Sequence, residues 1–421
     1  MLVAAGEWMR DLLELHLEEL EWLWRQRAEA WRSPAYDLTG LVHLDERVMA
    51  HSDALVLAGE DALPLVLPLI EEADDAFKAM GAAYVLLSQM EPDLTQRALK
   101  GFQELEPDSA PFGGFQLALR YAHPSRYEKT LQQITQGASS SHVVAATAAL
   151  AFHGRLQEGE RLLELVQSEN PDVRRVAWEA VSLLKVAGSP PHERILLQRM
   201  GNHLQAAVRK ELVPAVRQAV WVAAAWTRQN WLLEHLRHHF TKTGDLGSLR
   251  LLAVLAPPAE LAFFLDIGHR QDLGVERFSV LAGFGHPQVA EVLLKAMESG
   301  GPLAAAKAAQ AFQRMAGVSV ETAQRVELRL EDQDGNIDQD SSPEEVRIPD
   351  AVLARKQWER IRRKLPGATR LCYGEEAARG GPPEWLERLP MDVRWEMALR
   401  ERFETGRGEG PAALERFPCT F

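Results

Sequence analysis

The sequence predicts an all-α fold, an irregular α-solenoid of helical pairs that is closed by helical segments at both ends. The clearest observation is the stretch Asn170–Lys185, where apolar residues recur at three- and four-residue steps, as they do along one face of a helix. Related alanine-rich stretches return at spacings of about 27 to 43 residues, which is the range of two-helix repeats. Because one such helix cannot bury its apolar face alone, we expect the copies to stack.

The stretch Asn170–Lys185 also shows where its helix begins and how it packs. Asn170 can accept hydrogen bonds from the free N–H groups of a first turn, and the fixed φ of Pro171 suits the next position. Ala177 and Ala180 are small enough to let another helix approach closely. These residues predict one helix of a stacked array.

Composition indicates a folded protein whose partner is another protein. Of the 421 residues, 46% are hydrophobic and 25% are charged, so the chain can bury a core and is not wholly disordered. The formal net charge of −13 argues against nucleic acid and anionic lipid as partners and favours a basic protein. The alternative, that the charge simply maintains solubility, is the commoner case.

Cysteine content and hydropathy predict a cytoplasmic protein without a membrane partner. Cys372 and Cys419 are the only cysteines, which leaves no disulfide framework and no four-thiolate zinc site. The N-terminus lacks the pattern of a signal peptide, and no uncharged run reaches membrane-spanning length. We therefore expect a reducing compartment.

Residues 1–60 are predicted to form an N-terminal helical cap. One helix is expected over Glu7–Trp31, and a second is expected from Thr39 or Gly40 to the C-terminal glycine Gly59. The first helix carries tryptophans that either bind a partner or pack the cap onto the array, namely Trp8, Trp22, Trp24 and Trp31. Burial is the favoured interpretation, because stacks of repeats require closed ends.

Residues 61–318 are predicted to form the repeat array. Its earlier helices are expected at Leu63–Glu71, Ala76–Gln89, Asp93–Leu105, Gly113–Ala122, Tyr127–Thr135 and Arg161–Gln167. The recurring alanine-rich copies are His142–Phe152, Val173–Leu184, Ala215–Trp226, Leu249–Leu255, Phe278–Phe284 and Ala304–Phe312. Their period is irregular, which predicts an irregular array.

Beyond the array, residues 319–350 are predicted to be an acidic linker, and residues 351–421 a helical closing region with a tail. Glu331–Asp350 is too polar and acidic to bury an apolar face, so we expect a solvated loop there. Helices are expected at Ala351–Lys364 and Glu384–Phe403, and a mostly irregular tail over Gly406–Phe421.

The repeat sequences resemble HEAT repeats, whose second helix opens with Pro-Asp-Val-Arg and continues with alanines to a terminal leucine. Asn170–Leu184 matches this wording closely, while Ala215–Trp226 keeps only part of it. The resemblance covers the middle half of the chain. It implies a binding scaffold without naming its ligand.

Distinctive sequence patterns stand near both ends of the chain, at His16–Arg27, Leu41–Glu60, Ala311–Val318, the segment around Trp358–Tyr373 and Pro390–Arg400. In these stretches the chain resembles an uncharacterised bacterial HEAT-repeat family whose members are commonly encoded among type VI secretion genes. Ala54 stands where the family usually has glycine. No catalytic residue is established for the family, so the resemblance implies none here.

Several polar clusters have spacings that a metal site could use. Alternating oxygen ligands at Asp332, Asp334, Asn336 and Asp338 have the spacing of a calcium loop, but Ile337 and Pro343 occupy its glycine and glutamate positions, and a solvated loop is favoured. Two histidine sets have spacings that share a helix face, namely His43 and His51 with Asp45 and Asp53, and His235 with His238 and His239. Polar helix faces and buried hydrogen bonds explain both sets more often than metal ligation.

The sequence also holds a basic run that could meet an acidic partner or nucleic acid. It consists of Arg355, Lys356, Arg360, Arg362, Arg363 and Lys364 on one predicted helix with Trp358. A solvated helix face is the favoured interpretation, and the acidic residues 331–350 are expected to screen it.

The function predicted from these patterns is a non-enzymatic, protein-binding HEAT-repeat scaffold, with an immunity or adaptor role beside type VI secretion. No catalytic residue, cofactor or metal ligand is predicted, and the residues that bind the partner are not identified. One alternative is a metal-dependent enzyme that uses the histidines. The other is a nucleic-acid-binding array lined by Arg174, Arg175, Arg209, Lys210 and Arg217.

Overall fold

The computed structural model describes residues 2–157, 159–184, 191–328, 344–365, 367, 369–377 and 383–419. It is 74% helical with few small strands, so the predicted all-α class is confirmed. The chain divides into two compact units. Unit 1 comprises Met1–Leu232 and Glu387–Phe421, and unit 2 comprises Leu233–Leu386.

The helices follow one another with short connections. In the described residues they are α1 (Leu2–Ala30), α2 (Leu38–Ala58), α3 (Leu63–Glu72), α4 (Ala76–Ser88), α5 (Pro92–Glu104), α6 (Ala110–Tyr121), α7 (Glu128–Ile134), α8 (Ser140–Phe152), α9 (Glu160–Leu165), α10 (Pro171–Leu183), α11 (Pro191–Lys210), α12 (Pro214–Trp226), α13 (Leu232–Thr243), α14 (Leu246–Leu255), α15 (Leu261–His269), α16 (Glu276–Phe284), α17 (Ala290–Ser299), α18 (Pro302–Ala316), α19 (Ala351–Lys364), α20 (Pro383–Glu387), α21 (Met391–Thr405) and α22 (Pro411–Leu414). The strands are β1 (Glu321–Leu328), β2 (Glu344–Pro349), β3 (Leu371–Cys372) and β4 (Glu375–Glu376).

Helix α10 forms where the cap signals predict it. The side-chain oxygen of Asn170 accepts hydrogen bonds from the N–H groups of Asp172 at 2.8 Å and Val173 at 3.4 Å, and Pro171 is the first helical residue. The helix ends at Leu183, two residues before the predicted Lys185. Ala177 and Ala180 are fully buried, as their size predicts for a close helix contact.

Unit 1 is built by serial packing of one helix from each pair. Helix α4 packs on α6, α6 on α8, α8 on α10 and α10 on α12. At Gly114 of α6 a Cβ atom would lie 2.6 Å from Ala79 Cβ and 2.7 Å from the Met80 nitrogen, so glycine permits the close approach to α4. This packing is that of a helical-repeat architecture.

Unit 2 continues the serial pattern through α14, α16 and α18. A short hairpin of β3 and β4 covers the C-terminal ends of these helices. The N–H of Leu371 donates to the Gly285 carbonyl at 2.8 Å, and the N–H of Tyr373 donates to that of Arg314 at 2.7 Å. The buried Arg370 guanidinium donates to the Val254 carbonyl at 2.9 Å. The last carbonyls of a helix find no N–H donor within that helix, and these groups supply the missing hydrogen bonds.

The region predicted as an acidic linker contains regular structure at its edges. Strands β1 and β2 pair antiparallel, with Val326 opposite Val346, and β2 contacts α18. Val346 is buried between the exposed Glu345 and Arg347. This alternation is the period of a half-buried strand, which the acidic composition of the stretch conceals. Residues 332–338, whose spacing resembles a calcium loop but for which a solvated loop is the favoured interpretation, lie outside the described residues.

The division into units differs from the predicted segments. The boundary after Leu232 falls inside the predicted array of residues 61–318, and the closing region of residues 351–421 is shared between both units. Residues 387–419 return to the N-terminal helices, where the N–H of Met391 donates to the Tyr36 carbonyl at 2.8 Å. Periodicity could not reveal this return, because it reports on helices and not on their distant partners.

Candidate protein-binding site

The histidine and aspartate set on α2 does not converge on one point. His43 is exposed, while His51 lies 3.0 Å from the Nδ1 of His16 on α1, Nδ1 to Nδ1. Burial lowers the pKa of His51, and the neighbouring His16 lowers it further. Asp45 faces inward to Arg27, and Asp53 is exposed. The contact of α1 with α2 therefore separates these residues, for which the sequence favoured buried hydrogen bonds over metal ligation.

The second histidine set also has two orientations. The rings of His235 and His239 stack with centroids 6.1 Å apart, one turn apart on α13, whereas His238 is exposed. In the part of the chain that the structure describes, no group of three or more histidine, cysteine or acidic residues could hold a metal ion. Burial raises the pKa of the Cys419 thiol, which opposes the formation of a thiolate nucleophile.

The basic run on α19 is partly neutralised within unit 2. Arg355 forms ion pairs with Glu291 and Glu298, and Lys364 pairs with Glu375 at 3.1 Å. Among the arginines of the nucleic-acid alternative, Arg174 forms a bidentate ion pair with Glu211. Its Nε and Nη2 atoms donate to the two carboxylate oxygens at 2.9 and 3.1 Å. Arg175 pairs with Glu179 at 2.6 Å.

The tryptophans of α1 fall on opposite faces of the helix. Trp24 is 1% exposed and packs against the rings of Tyr84, Tyr121 and Phe417. Trp8 and Trp22 are 63% and 48% exposed, so the prediction of burial is wrong for both. Contacts with α2 and α4 bury the face that carries Trp24, whereas Trp22 stays half exposed with the Arg47 guanidinium of α2 5.4 Å from its ring centroid.

An exposed apolar stripe therefore runs along α1. Trp8, Leu15 and Trp22 are seven residues apart, which places them on one side of the helix. Leu15 is 51% exposed. We call these three residues the α1 stripe. Large apolar side chains in a row on a protein surface mark a site of interaction more often than scattered ones do.

Carboxylates surround the α1 stripe. Asp11 and Glu18 lie between its members along the helix, and both are exposed. Nearby carboxylates are held in ion pairs, Glu14 with Arg10 at 2.9 Å and Glu21 with Arg25 at 3.2 Å. Asp11 and Glu18 form none within the described chain, so their charge remains available to a partner.

A second feature of unit 1 is a cleft of about 820 Å³, which we call the C-terminal cleft. One wall is formed by the C-terminal ends of α6, α8, α10 and α12. The other wall is formed by residues 408–413 and 416–418, which follow α21. The chain's own C-terminal segment thus builds half of the cleft.

A buried ion pair holds this C-terminal segment in place. Arg27 and Asp45 are each 1% exposed, and Arg27 Nε donates to Asp45 Oδ1 at 2.7 Å. Arg27 Nη2 also donates to the Arg416 carbonyl at 2.9 Å, and Asp45 Oδ2 accepts from the Cys419 N–H at 2.7 Å. Burial raises the pKa of Asp45, while the Arg27 guanidinium opposes the rise. In the sequence, Asp45 stands out only as a possible ligand, and no pattern assigns a role to Arg27.

Comparison with known proteins adds no relative. The chain matches no protein-family model, no curated protein and no solved structure. Among the described helices, none combines the length and the apolar character needed to cross a membrane.

Proposed function

We propose that this chain is a non-enzymatic scaffold of HEAT-like helical pairs arranged as an α-solenoid, and that it binds another protein through the α1 stripe. The observation that carries the proposal is the exposure of Trp8, Leu15 and Trp22 on one side of α1. Tryptophan is among the residues that contribute most to protein–protein binding energy, because it buries a large apolar area with little loss of side-chain entropy.

The partner is proposed to be a basic protein. Between Trp8 and Trp22 the chain has Asp11, Glu14, Glu18, Glu19 and Glu21 against a single arginine. The formal net charge of −13 has the same sign, so long-range attraction and local contacts both favour positive charge.

We further propose a cytoplasmic role as an immunity or adaptor protein linked to type VI secretion. This part rests on the resemblance of both chain ends, such as His16–Arg27 and Pro390–Arg400, to the HEAT-repeat family of those gene clusters. The low cysteine content supports a reducing compartment. No observation in the described residues favours the metal-dependent enzyme or the nucleic-acid-binding array.

The test is co-expression of the chain with the products of its neighbouring genes, followed by calorimetry of each purified pair. A stoichiometric complex is expected with one of them. Trp22→Ser should weaken it by about 30-fold or more, the effect of losing about 2 kcal/mol at an interface hot spot. Leu212→Ser is the matched control, because Leu212 is 84% exposed and lies in the connection between α11 and α12.

Two results would contradict different parts of the proposal. If no neighbouring product forms a complex, the scaffold role in secretion is wrong. If a complex forms and Trp8→Ser, Trp22→Ser and Leu212→Ser bind alike, the partner uses another surface. Both tryptophans are exposed, so their replacement should change the free energy of unfolding by less than about 0.5 kcal/mol.

A further inference from the structure

The C-terminal cleft has the dimensions of a binding site. Its volume of about 820 Å³ is within the range of cavities that hold ligands in proteins, about 300 to 1,000 Å³. It is lined by aromatic side chains, including Phe152 and Trp226, and by the backbone of residues 408–413. A ligand could thus meet apolar walls together with polar groups.

The charge of the cleft is opposite to that of the whole chain. Among the described residues that line it, Arg155, Arg402 and Arg416 are basic and Glu409 is the one carboxylate. Glu409 is paired with Arg394, which lies outside this lining, at 3.5 Å. A chain of net charge −13 therefore presents a cationic cavity.

Arg402 is the partly buried cation of this cleft that lacks a counter-charge, whereas Arg155 pairs with Glu128 at 3.9 Å and Arg416 is exposed. The side chain of Arg402 makes no ion pair or hydrogen bond within the described residues. Burial lowers the pKa of Arg402, and the like charge of Arg228 lowers it further. Arg228 is itself held by the carbonyls of Phe403 and Glu404, each at 3.0 Å. A carboxylate in the cleft would give Arg402 the forked partner that it lacks.

We propose that the C-terminal cleft binds an acidic peptide segment of another protein, with a carboxylate on Arg402 and an adjacent apolar side chain against Phe152. A peptide is favoured over nucleic acid because the net charge of −13 repels a phosphate backbone, whereas a short acidic segment can enter a local cationic cavity. This site is separate from the α1 stripe, and peptide binding in the cleft does not depend on whether a partner binds that stripe.

The experiment measures fluorescence anisotropy of a labelled hexapeptide of alternating glutamate and phenylalanine with the purified full chain. Saturable binding is expected for this probe, and none is expected for the alternating lysine–phenylalanine peptide. Arg402→Gln should weaken binding by about ten-fold or more, since hydrogen bonds to charged groups are the strong ones. Arg402→Lys keeps the charge without the fork and should give an intermediate loss.

Arg97→Gln on α5 is the matched control, because it removes the same charge from an exposed arginine outside the cleft. It should bind the acidic probe as the wild type does. Equal binding by Arg402→Gln and Arg97→Gln, or no saturable binding by the wild type, would overturn the proposal. So would tighter binding of a hexathymidylate probe, which would assign the cleft to nucleic acid.

Thermal unfolding supplies the folding control for these variants. Because the Arg402 side chain makes no ion pair or hydrogen bond within the described chain and lies near Arg228, Arg402→Gln should unfold at the wild-type temperature or slightly above it. A marked fall in Tm would show that Arg402 stabilises the fold, and the premise of an unmatched charge would be wrong. Because the probe binds the isolated chain, the result is independent of the co-expression test.

Discussion

Replacing Gly114 with alanine is expected to force α4 and α6 apart. The new Cβ would clash with the Ala76 carbonyl oxygen and would lie 2.6 Å from Ala79 Cβ and 2.7 Å from the Met80 nitrogen. Ordinary contact begins at 3.4 Å, so the backbone of α4 has to retreat by at least about 0.7 Å. These atoms belong to a helix backbone and to a Cβ fixed to it, so no side-chain rotation can relieve the overlap.

Two opposing effects set the size of the change at Gly114. Overpacking of a core costs about 1 to 3 kcal/mol, and the upper end applies because backbone has to move. Alanine is more favourable than glycine inside a helix, and this preference stabilises the variant by about 0.5 to 1 kcal/mol. We expect a net loss of about 2 kcal/mol, which corresponds to a fall of about 4 to 8 °C in Tm.

Gly113 provides the control on the same helix. A Cβ there would meet only Ala76 Cβ, at an ordinary 3.8 Å, so Gly113→Ala should stabilise the protein by about 0.4 to 1 kcal/mol. Thermal unfolding followed by circular dichroism measures both variants. If Gly114→Ala is as stable as the wild type, or if both variants shift in the same direction, the close approach of α4 and α6 is wrong.

Three further changes test the ends of helices and the C-terminal segment. Asp45→Ala leaves the buried Arg27 charge without its carboxylate, so urea unfolding should show that the free energy of unfolding falls by about 3 to 5 kcal/mol. Hydrogen exchange should also show faster exchange of the backbone amides in residues 411–419. A fall of less than about 1 kcal/mol would refute the pairing of Arg27 with Asp45. Asn170→Ala removes the N-cap of α10 and should lower the free energy of unfolding by about 1 kcal/mol in the same assay. Asn170→Asp keeps a capping oxygen and should lower it little. Equal losses in the two variants would argue against capping by Asn170. Burial is the main cause that lowers the pKa of His153 from 6.5 to about 4, so between these pH values the unfolded chain binds a proton that the folded chain does not. Wild-type Tm should therefore fall more steeply than that of His153→Gln as pH drops from 6.5 to 4, and parallel curves would contradict this assignment.

The sequence predicted individual helices well because their signals are local. Asn170 and Pro171 mark the start of α10, and the predicted stop at Gly59 is observed with a positive φ of 55° directly after α2. Strand β2 was missed, because its two-residue alternation is short and lies in a stretch whose carboxylates suggested a loop.

The candidate surfaces were less accessible to prediction. The spacing of Trp8, Leu15 and Trp22 shows that they share a face of α1, but only the packing of α2 and α4 on the other side shows that this face stays open. Arg402 gave no signal in the sequence at all. The importance of Arg402 depends on which charges the fold brings near it. The charge that affects its pKa is the like charge of Arg228, and no carboxylate among the described residues offsets it.

By itself, the sequence determined that this chain forms amphipathic helices that have to stack, because the apolar stripe and the caps of each helix lie within a few residues of one another. Only the tertiary structure decided that the C-terminal segment returns to α1, where Arg27 meets a carbonyl 389 residues away. Such a contact leaves no periodic trace along the chain. It forms because a buried guanidinium requires a carboxylate and carbonyls in place of water, and folding alone brings Asp45 and Arg416 to the same point.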